Sequence, residues 1–396
     1  MLAEKVLVRA RETKVAKPRR YALLSCAVVG LALFSVVNIA WGLINPLRLV
    51  NPTRWSQLRQ NYIVAKLSPI LEAPNAADVL LLGSSLTLAP AMRCDDAIAH
   101  RPRRVDLWYW HEYMPTYAKA NYLQQTLSRM LHRDVQVQNA SVIASVVSDQ
   151  ELILRRYLES KKPACVVLCT APRDYIDPNC PPDKTSTYQF LANGDDLLDL
   201  ASTKNLWSNG GLETLWIRAC GLYRHRAELT ALVQQCCADT ANTVGTKIWK
   251  QKWNHIATTA DEVPNVPQYA SDETKVAWRR DIDHYRKMYF PMTDEQYDRQ
   301  MRALRQLLSL CKSDKVPIVL VDMPLTKDNL ALLPQEFKTK LLCDIEKTAK
   351  DNGVTVYKPN DDIHFGAKDF EDSAHLSSAG GFKFFDWLAG KVSARI

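Results

Sequence analysis

Three side chains in this sequence, Ser85, His375 and Asp372, are the set that acyl transfer requires when a serine attacks an ester carbon. An imidazole takes the hydroxyl proton and a carboxylate orients the imidazole. Ser85 lies in Gly83-Ser84-Ser85-Leu86, directly after the apolar run Val79-Leu80-Leu81-Leu82. A strand that ends in glycine and small polar residues makes a tight turn into a helix, which exposes one side chain and turns backbone N–H groups toward it. Ser84 is the weaker candidate for the nucleophile. The spacing is not the Gly-x-Ser-x-Gly elbow, because position 87 is Thr87, and a plain serine-rich turn is the competing interpretation. In Asp372-Ser373-Ala374-His375 a three-residue step lets both functional side chains rise from one short turn. The alternative there is a helix-start aspartate followed by an incidental histidine.

Most of the chain separates Ser85 from His375, so only the fold can unite them. Apolar runs predict strands over 78–82, 135–139, 164–169, 316–322 and 353–357, and helical patterns fall over 117–131, 150–158, 294–311, 335–352 and 382–392. Apolar strands alternating with helices predict an α/β, doubly wound, mostly parallel five-stranded sheet covered on both faces. Ligands of such sheets bind beyond the C-terminal strand ends, where Ser85, Ala144 and Arg173 all fall. Residues 181–293 interrupt the alternation with Trp207, Trp216, Trp249, Trp253, Trp278, Tyr285 and Tyr289, and predict an inserted, mainly helical cap. Its aromatics, like those of Trp108-Tyr109-Trp110-His111-Glu112-Tyr113, suit packing better than a sugar-stacking platform.

With Gly-Ser-Ser-Leu near its start and Asp-x-x-His near its end, the chain resembles the SGNH, or GDSL-type, serine hydrolases. The resemblance covers most of residues 76–396. It implies a flavodoxin-like three-layer fold and a catalytic triad of Ser85, His375 and Asp372. It also implies an oxyanion hole built from the backbone of Ser85 and of a second block, for which Asn139-Ala140-Ser141-Val142-Ile143-Ala144 stands after the second strand. Ala144 occupies a position usually held by glycine, and its N–H survives as a donor provided the local dihedrals do not require φ > 0. The third block departs from the family. In place of Gly-x-Asn-Asp the chain has Thr170-Ala171-Pro172-Arg173-Asp174. Arg173 is therefore a candidate oxyanion donor or a grip for an acidic substrate, against the ordinary alternative of a loop held by Arg173–Asp174 pairing.

The 396 residues, 47% of them apolar, supply ample core. Residues 21–44 are almost wholly apolar and uncharged, long enough at about 20 residues for a transmembrane anchor. A buried helix should show a polar face, and a cleaved signal peptide should be shorter and end in small residues. Residues 1–20 carry seven basic side chains against Glu4 and Glu12, a net of +5 out of the chain's +8. The positive-inside rule then leaves 1–20 as a cytoplasmic basic tail, with 45–77 a proline-bearing stalk lying on the domain and 78–396 an extracytoplasmic hydrolase-like domain. The positive charge thus concerns topology, and no basic patch interleaved with aromatics points to nucleic acid. Ten cysteines include Cys165 and Cys169, too far apart to bridge at roughly 13 Å along a strand. Most read as small apolar core residues, with one or two disulfides left open. Asp361, Asp362 and His364 look like a polar loop and not a metal site, so no cofactor is expected.

These features together predict a membrane-anchored SGNH-type esterase or O-acyltransferase. Its substrate would be an acyl ester or acylated cell-envelope glycan, and the architecture implies a membrane-bound acyltransferase partner. The alternative is a non-catalytic envelope protein that keeps the fold to bind a glycan or such a partner.

Overall fold

A computed structural model describes residues 20–43, 62–101, 116–181, 185–192 and 282–396, with the single positions 220, 233 and 237. Five strands, β1 (Val79–Leu82), β2 (Val137–Asn139), β3 (Cys165–Thr170), β4 (Ile318–Asp322) and β5 (Val356–Tyr357), form one all-parallel sheet in the order β2-β1-β3-β4-β5. Register pairs Leu81 with Asn139, Leu82 with Leu168 and Thr170 with Asp322, so successive strands end along one edge. Every residue of β1 and β3 is buried, the condition that continuous apolar runs satisfy when helices cover both faces. The α/β architecture and parallel sheet expected from the sequence are both present.

Two groups of helices flank the sheet. One contains α3 (Ser85–Ile98), α4 (Asn121–Leu131) and the last helix, α12 (Ser378–Ser393), in mutual contact. The other contains α5 (Val147–Leu158) and α8 (Asp294–Asp314), packed together, with α10 (Gln335–Asp351) against α8. In α8, Thr293 caps the first turn by accepting from Gln296 N–H, and Tyr297, Met301, Leu304, Leu308 and Cys311 form the buried stripe at helical spacing. Between these lie the short α6 (Arg173–Ile176), α7 (Ser186–Leu191), α9 (Lys327–Leu330) and α11 (Pro359–Asp362).

Of the expected stalk, residues 62–77 are described. Residues Tyr62–Leu71 form a helix, α2, whose Ile63, Leu67 and Ile70 are buried in the main core at i, i+4 and i+7. Lys161 fastens the end of this helix by donating to the carbonyls of Ile70 and Ala73 at 2.9 and 2.7 Å.

Arg20–Leu43 form a further helix, α1, with Val28, Leu31, Val36 and Ile39 each more than 60% exposed. Taken over the described residues alone, no helix is long and apolar enough to cross a membrane. The full apolar run from 21 to 44 extends past the described side chains at both ends. Of the expected cap, Tyr285 and Tyr289 are buried in the core, as the packing interpretation requires. The five cap tryptophans, residues 108–113 and the basic tail before residue 20 lie outside the described residues. Cys165 and Cys169 are both unbridged.

Candidate active site

The turn that carries Ser84 and Ser85 is built by a close approach at Gly83. A Cβ there would stand 2.2 Å from the Thr87 hydroxyl and 3.1 Å from the Cys169 carbonyl oxygen, so only glycine lets the chain leave β1 against β3 and enter α3 at once. Ser84 is the N-cap residue, extended at φ −98°, and its carbonyl accepts from the Thr87 and Leu88 amides. Ser84 is buried, with its hydroxyl directed to the Asp174 carboxylate. Ser85, the first helical residue, is partly exposed. This separates the two serines physically: one is consumed by the interior and the other opens to solvent. Among the described residues no acceptor meets the Ser85 or Leu86 N–H, as befits the first turn of a helix, where the dipole also favours negative charge.

Asp372 and His375 sit at the tip of a hairpin-like loop closed by an antiparallel bridge between Phe370 and Leu376. The Glu371 amide donates to the His375 carbonyl at 2.8 Å across it. Asp372 Oδ1 accepts from the amides of Ala374 and His375 at 2.8 and 2.6 Å, while Oδ2 lies 2.7 Å from His375 Nδ1. One carboxylate therefore shapes the turn and aims the ring. Burial opposes ionisation of Asp372, yet the adjacent imidazole and the two amides hold its carboxyl below the usual carboxylate range. The carboxylate selects the Nδ1–H tautomer, which leaves Nε2 facing Ser85 Oγ at 3.0 Å. The three side chains singled out from the sequence thus converge in one hydrogen-bonded chain.

Ala144 lies in the loop after β2, which is strapped to the nucleophile turn by Ala140 N–H to the Leu81 carbonyl (2.8 Å) and Val142 N–H to the Gly83 carbonyl (3.0 Å). Asn139 shapes its start, accepting from Ser141 N–H at 3.0 Å and donating to the Lys119 carbonyl at 3.1 Å. Ala144 has φ +58°, so the turn does require a positive φ, and the alanine keeps its N–H available by adopting it. The alanine is held in the left-handed region at a cost of roughly 1–2 kcal/mol. Ile143 and Ala144 are partly exposed while Ser141, Val142 and Ser145 are buried, so the same loop contributes the rim beside Ser85.

Arg173 requires a correction. Its guanidinium is buried, 4% exposed, and its donors meet Asp177 Oδ2 (2.9 Å), Asp174 Oδ1 (3.4 Å), the carbonyls of Ser145 and Ala144 (both 2.9 Å) and Cys180 Sγ (3.3 Å). A guanidinium has five N–H donors, and these contacts engage them, so Arg173 has none to offer an oxyanion or an acidic substrate. Burial works against the charge, but Asp174 and Asp177 keep the guanidinium firmly protonated. The loop-pairing alternative describes it better, extended to a network that includes the second block.

Other supports have no signature in the sequence. Arg93, two turns along α3 from Ser85, pairs with Glu371 beside Asp372, both nearly buried, at 2.6 and 3.0 Å. From the opposite side Thr326 donates its amide and hydroxyl to the Ser373 carbonyl at 3.2 and 2.7 Å, and Asn329 donates to the Ser373 hydroxyl at 3.0 Å. Asn329 is itself held by the Tyr289 hydroxyl at 2.5 Å. The loop between Asp372 and His375 is thereby clamped from α3 and from the β4 end of the sheet. Glu371 adjoins Asp372 in sequence, but nothing in sequence ties it to Arg93. Asp362 serves as acceptor for Trp387 Nε1 and Lys391, and among the described residues no group of His, Cys, Asp and Glu is arranged to hold a metal. No protein-family model matches this chain, and no curated protein is significantly similar to it.

Proposed function

We propose that this protein is a membrane-anchored serine hydrolase or O-acyltransferase of the SGNH type. The observation that carries the proposal is the continuous Ser85–His375–Asp372 hydrogen-bond chain, 3.0 and 2.7 Å, at the C-terminal edge of a parallel sheet. His375 Nε2 takes the Ser85 proton as Oγ bonds to the ester carbon, and Asp372 steadies the imidazolium that forms. The N–H groups of Ser85 and Ala144 receive the developing oxyanion. Collapse of the tetrahedral intermediate expels the alcohol, which takes the proton back from His375 and leaves an acyl-enzyme on Ser85. Water as the second substrate makes the protein an esterase, whereas a hydroxyl of an envelope glycan makes it a transferase supplied by a membrane-bound acyltransferase.

The anchor is supported by α1, whose 24 residues span roughly 36 Å, more than the hydrocarbon core of a bilayer. Its exposed valines, leucines and isoleucine carry more apolar surface than water tolerates on a free helix. Six basic residues before it, with Arg20 as its first residue, support a cytoplasmic N-terminus and an outward-facing hydrolase domain.

Treating the full-length protein in mild detergent with a fluorophosphonate probe tests the reaction class. Labelling at Ser85 that is lost in Ser85→Ala is the expected result. A folded wild-type protein that takes up no label would overturn the acyl-enzyme and favour a binding role.

A further inference from the structure

We infer that Arg173 is a positioning residue that holds the second-block loop, and with it the Ala144 N–H, in the conformation that receives an oxyanion. The inference rests on the acyl-transfer proposal for the role of that N–H. The loop is pinned on one side at Val142, whose amide donates to Gly83 and whose carbonyl accepts from Ser145 N–H at 3.1 Å. On the other side the Arg173 fork takes two successive carbonyls, Ala144 and Ser145, at 2.9 Å each. Between these points lies the Ile143–Ala144 peptide, whose N–H meets no acceptor among the described residues. Fixing the Ala144 carbonyl while Ala144 is left-handed fixes that N–H as well, because the two groups are related by a single residue's φ and ψ.

The clamp has its own footing. Asp177 Oδ2 accepts from Arg173 Nε at 2.9 Å and lies 2.8 Å from Nη2, and Asp174 lies on the other flank. Gln296 of α8 donates to the carbonyls of Asp177 and Cys180 at 3.2 and 3.0 Å, tying the turn to the helix layer. An alanine that departs readily from the left-handed region needs such an external hold, where a glycine would not. Arg173 thus offsets the residue that stands at position 144.

A double-mutant cycle on the full-length protein in detergent, read with p-nitrophenyl acetate, tests the clamp. Arg173→Lys keeps the charge between Asp174 and Asp177 but lacks the fork that spans both carbonyls. It should lower kcat by at least about tenfold, with KM for this small neutral ester nearly unchanged and the pH profile preserved, because Asp372 and His375 are untouched. In the Ala144→Gly background the left-handed conformation is free of strain, so the loss caused by Arg173→Lys should shrink by up to about tenfold. Equal losses in both backgrounds would mean that Arg173 only neutralises its aspartates, and the inference falls. If Arg173→Lys does not fold, Asp177→Asn, which releases the guanidinium from behind, goes through the same cycle. Amide exchange over 141–146 gives a separate reading, expected to quicken in the clamp variant; no change overturns the clamp. Should the wild type neither turn over esters nor label at Ser85, the acyl-transfer proposal fails, and exchange alone then decides the role of Arg173.

Discussion

Ser84 and Ser85 share a turn but not an environment, and that difference gives the residue-scale test. The Ser84 hydroxyl serves Asp174, whose carboxyl burial pushes up to about 7 against the pull of Arg173 and the Ala171 amide. A carboxyl raised in the folded state binds its proton more tightly there than in the unfolded chain. Its contribution to stability is complete below its ordinary value near 3.8 and is lost as pH rises through about 7. Ser84→Ala removes a donor to the ionised form. Its destabilisation should therefore grow from about 1 kcal/mol at pH 5 to about 2 kcal/mol at pH 8, while Ser85 still labels with the phosphonate probe. Thermal denaturation at the two pH values checks this, and an equal loss at both would sever the link to Asp174. Asp372→Asn acts on the other member of the chain. It leaves the ring poorly oriented and in the wrong tautomer, so kcat should fall by about 10⁴ with KM little changed.

At the scale of elements, the Asp372–His375 loop depends on how α12 begins. A Cβ on Gly380 would lie 2.1 Å from the Asp369 carbonyl oxygen, a backbone atom that also accepts from Ser377 N–H. Gly380→Ala must push the helix and the loop apart, and should cost about 1–3 kcal/mol together with a several-fold loss of ester turnover, read by thermal melting and kinetics. The strands were legible because both-face burial writes itself as uninterrupted apolar runs, although β2 and β5 are shorter than the runs that predicted them. The nucleophile turn and the Asp-x-x-His step were legible because each is a local pattern. The Arg93–Glu371 pair joins residues 278 positions apart and the Arg173 fork binds backbone carbonyls, and neither kind of contact leaves a periodicity or a spacing to read. The helix Tyr62–Leu71 was obscured by Pro69, which sits in its last turn, where a proline reads as a break.

For the whole molecule, the proposed anchor separates a basic tail from the proposed catalytic domain. The full-length protein should remain with membranes through alkaline carbonate extraction, and a tag at Ile396 should be cut by protease added outside the cell. Protection of that tag in intact cells would reverse the proposed topology. The partners Ser85 Oγ and His375 Nε2 meet across 290 positions, so a ribosome makes Ser85 long before His375. The serine of the proposed triad therefore meets its base only when the Phe370–Leu376 hairpin docks against α3. A product cut short before His375 should then take up no phosphonate label, even where the sheet and α3 have formed.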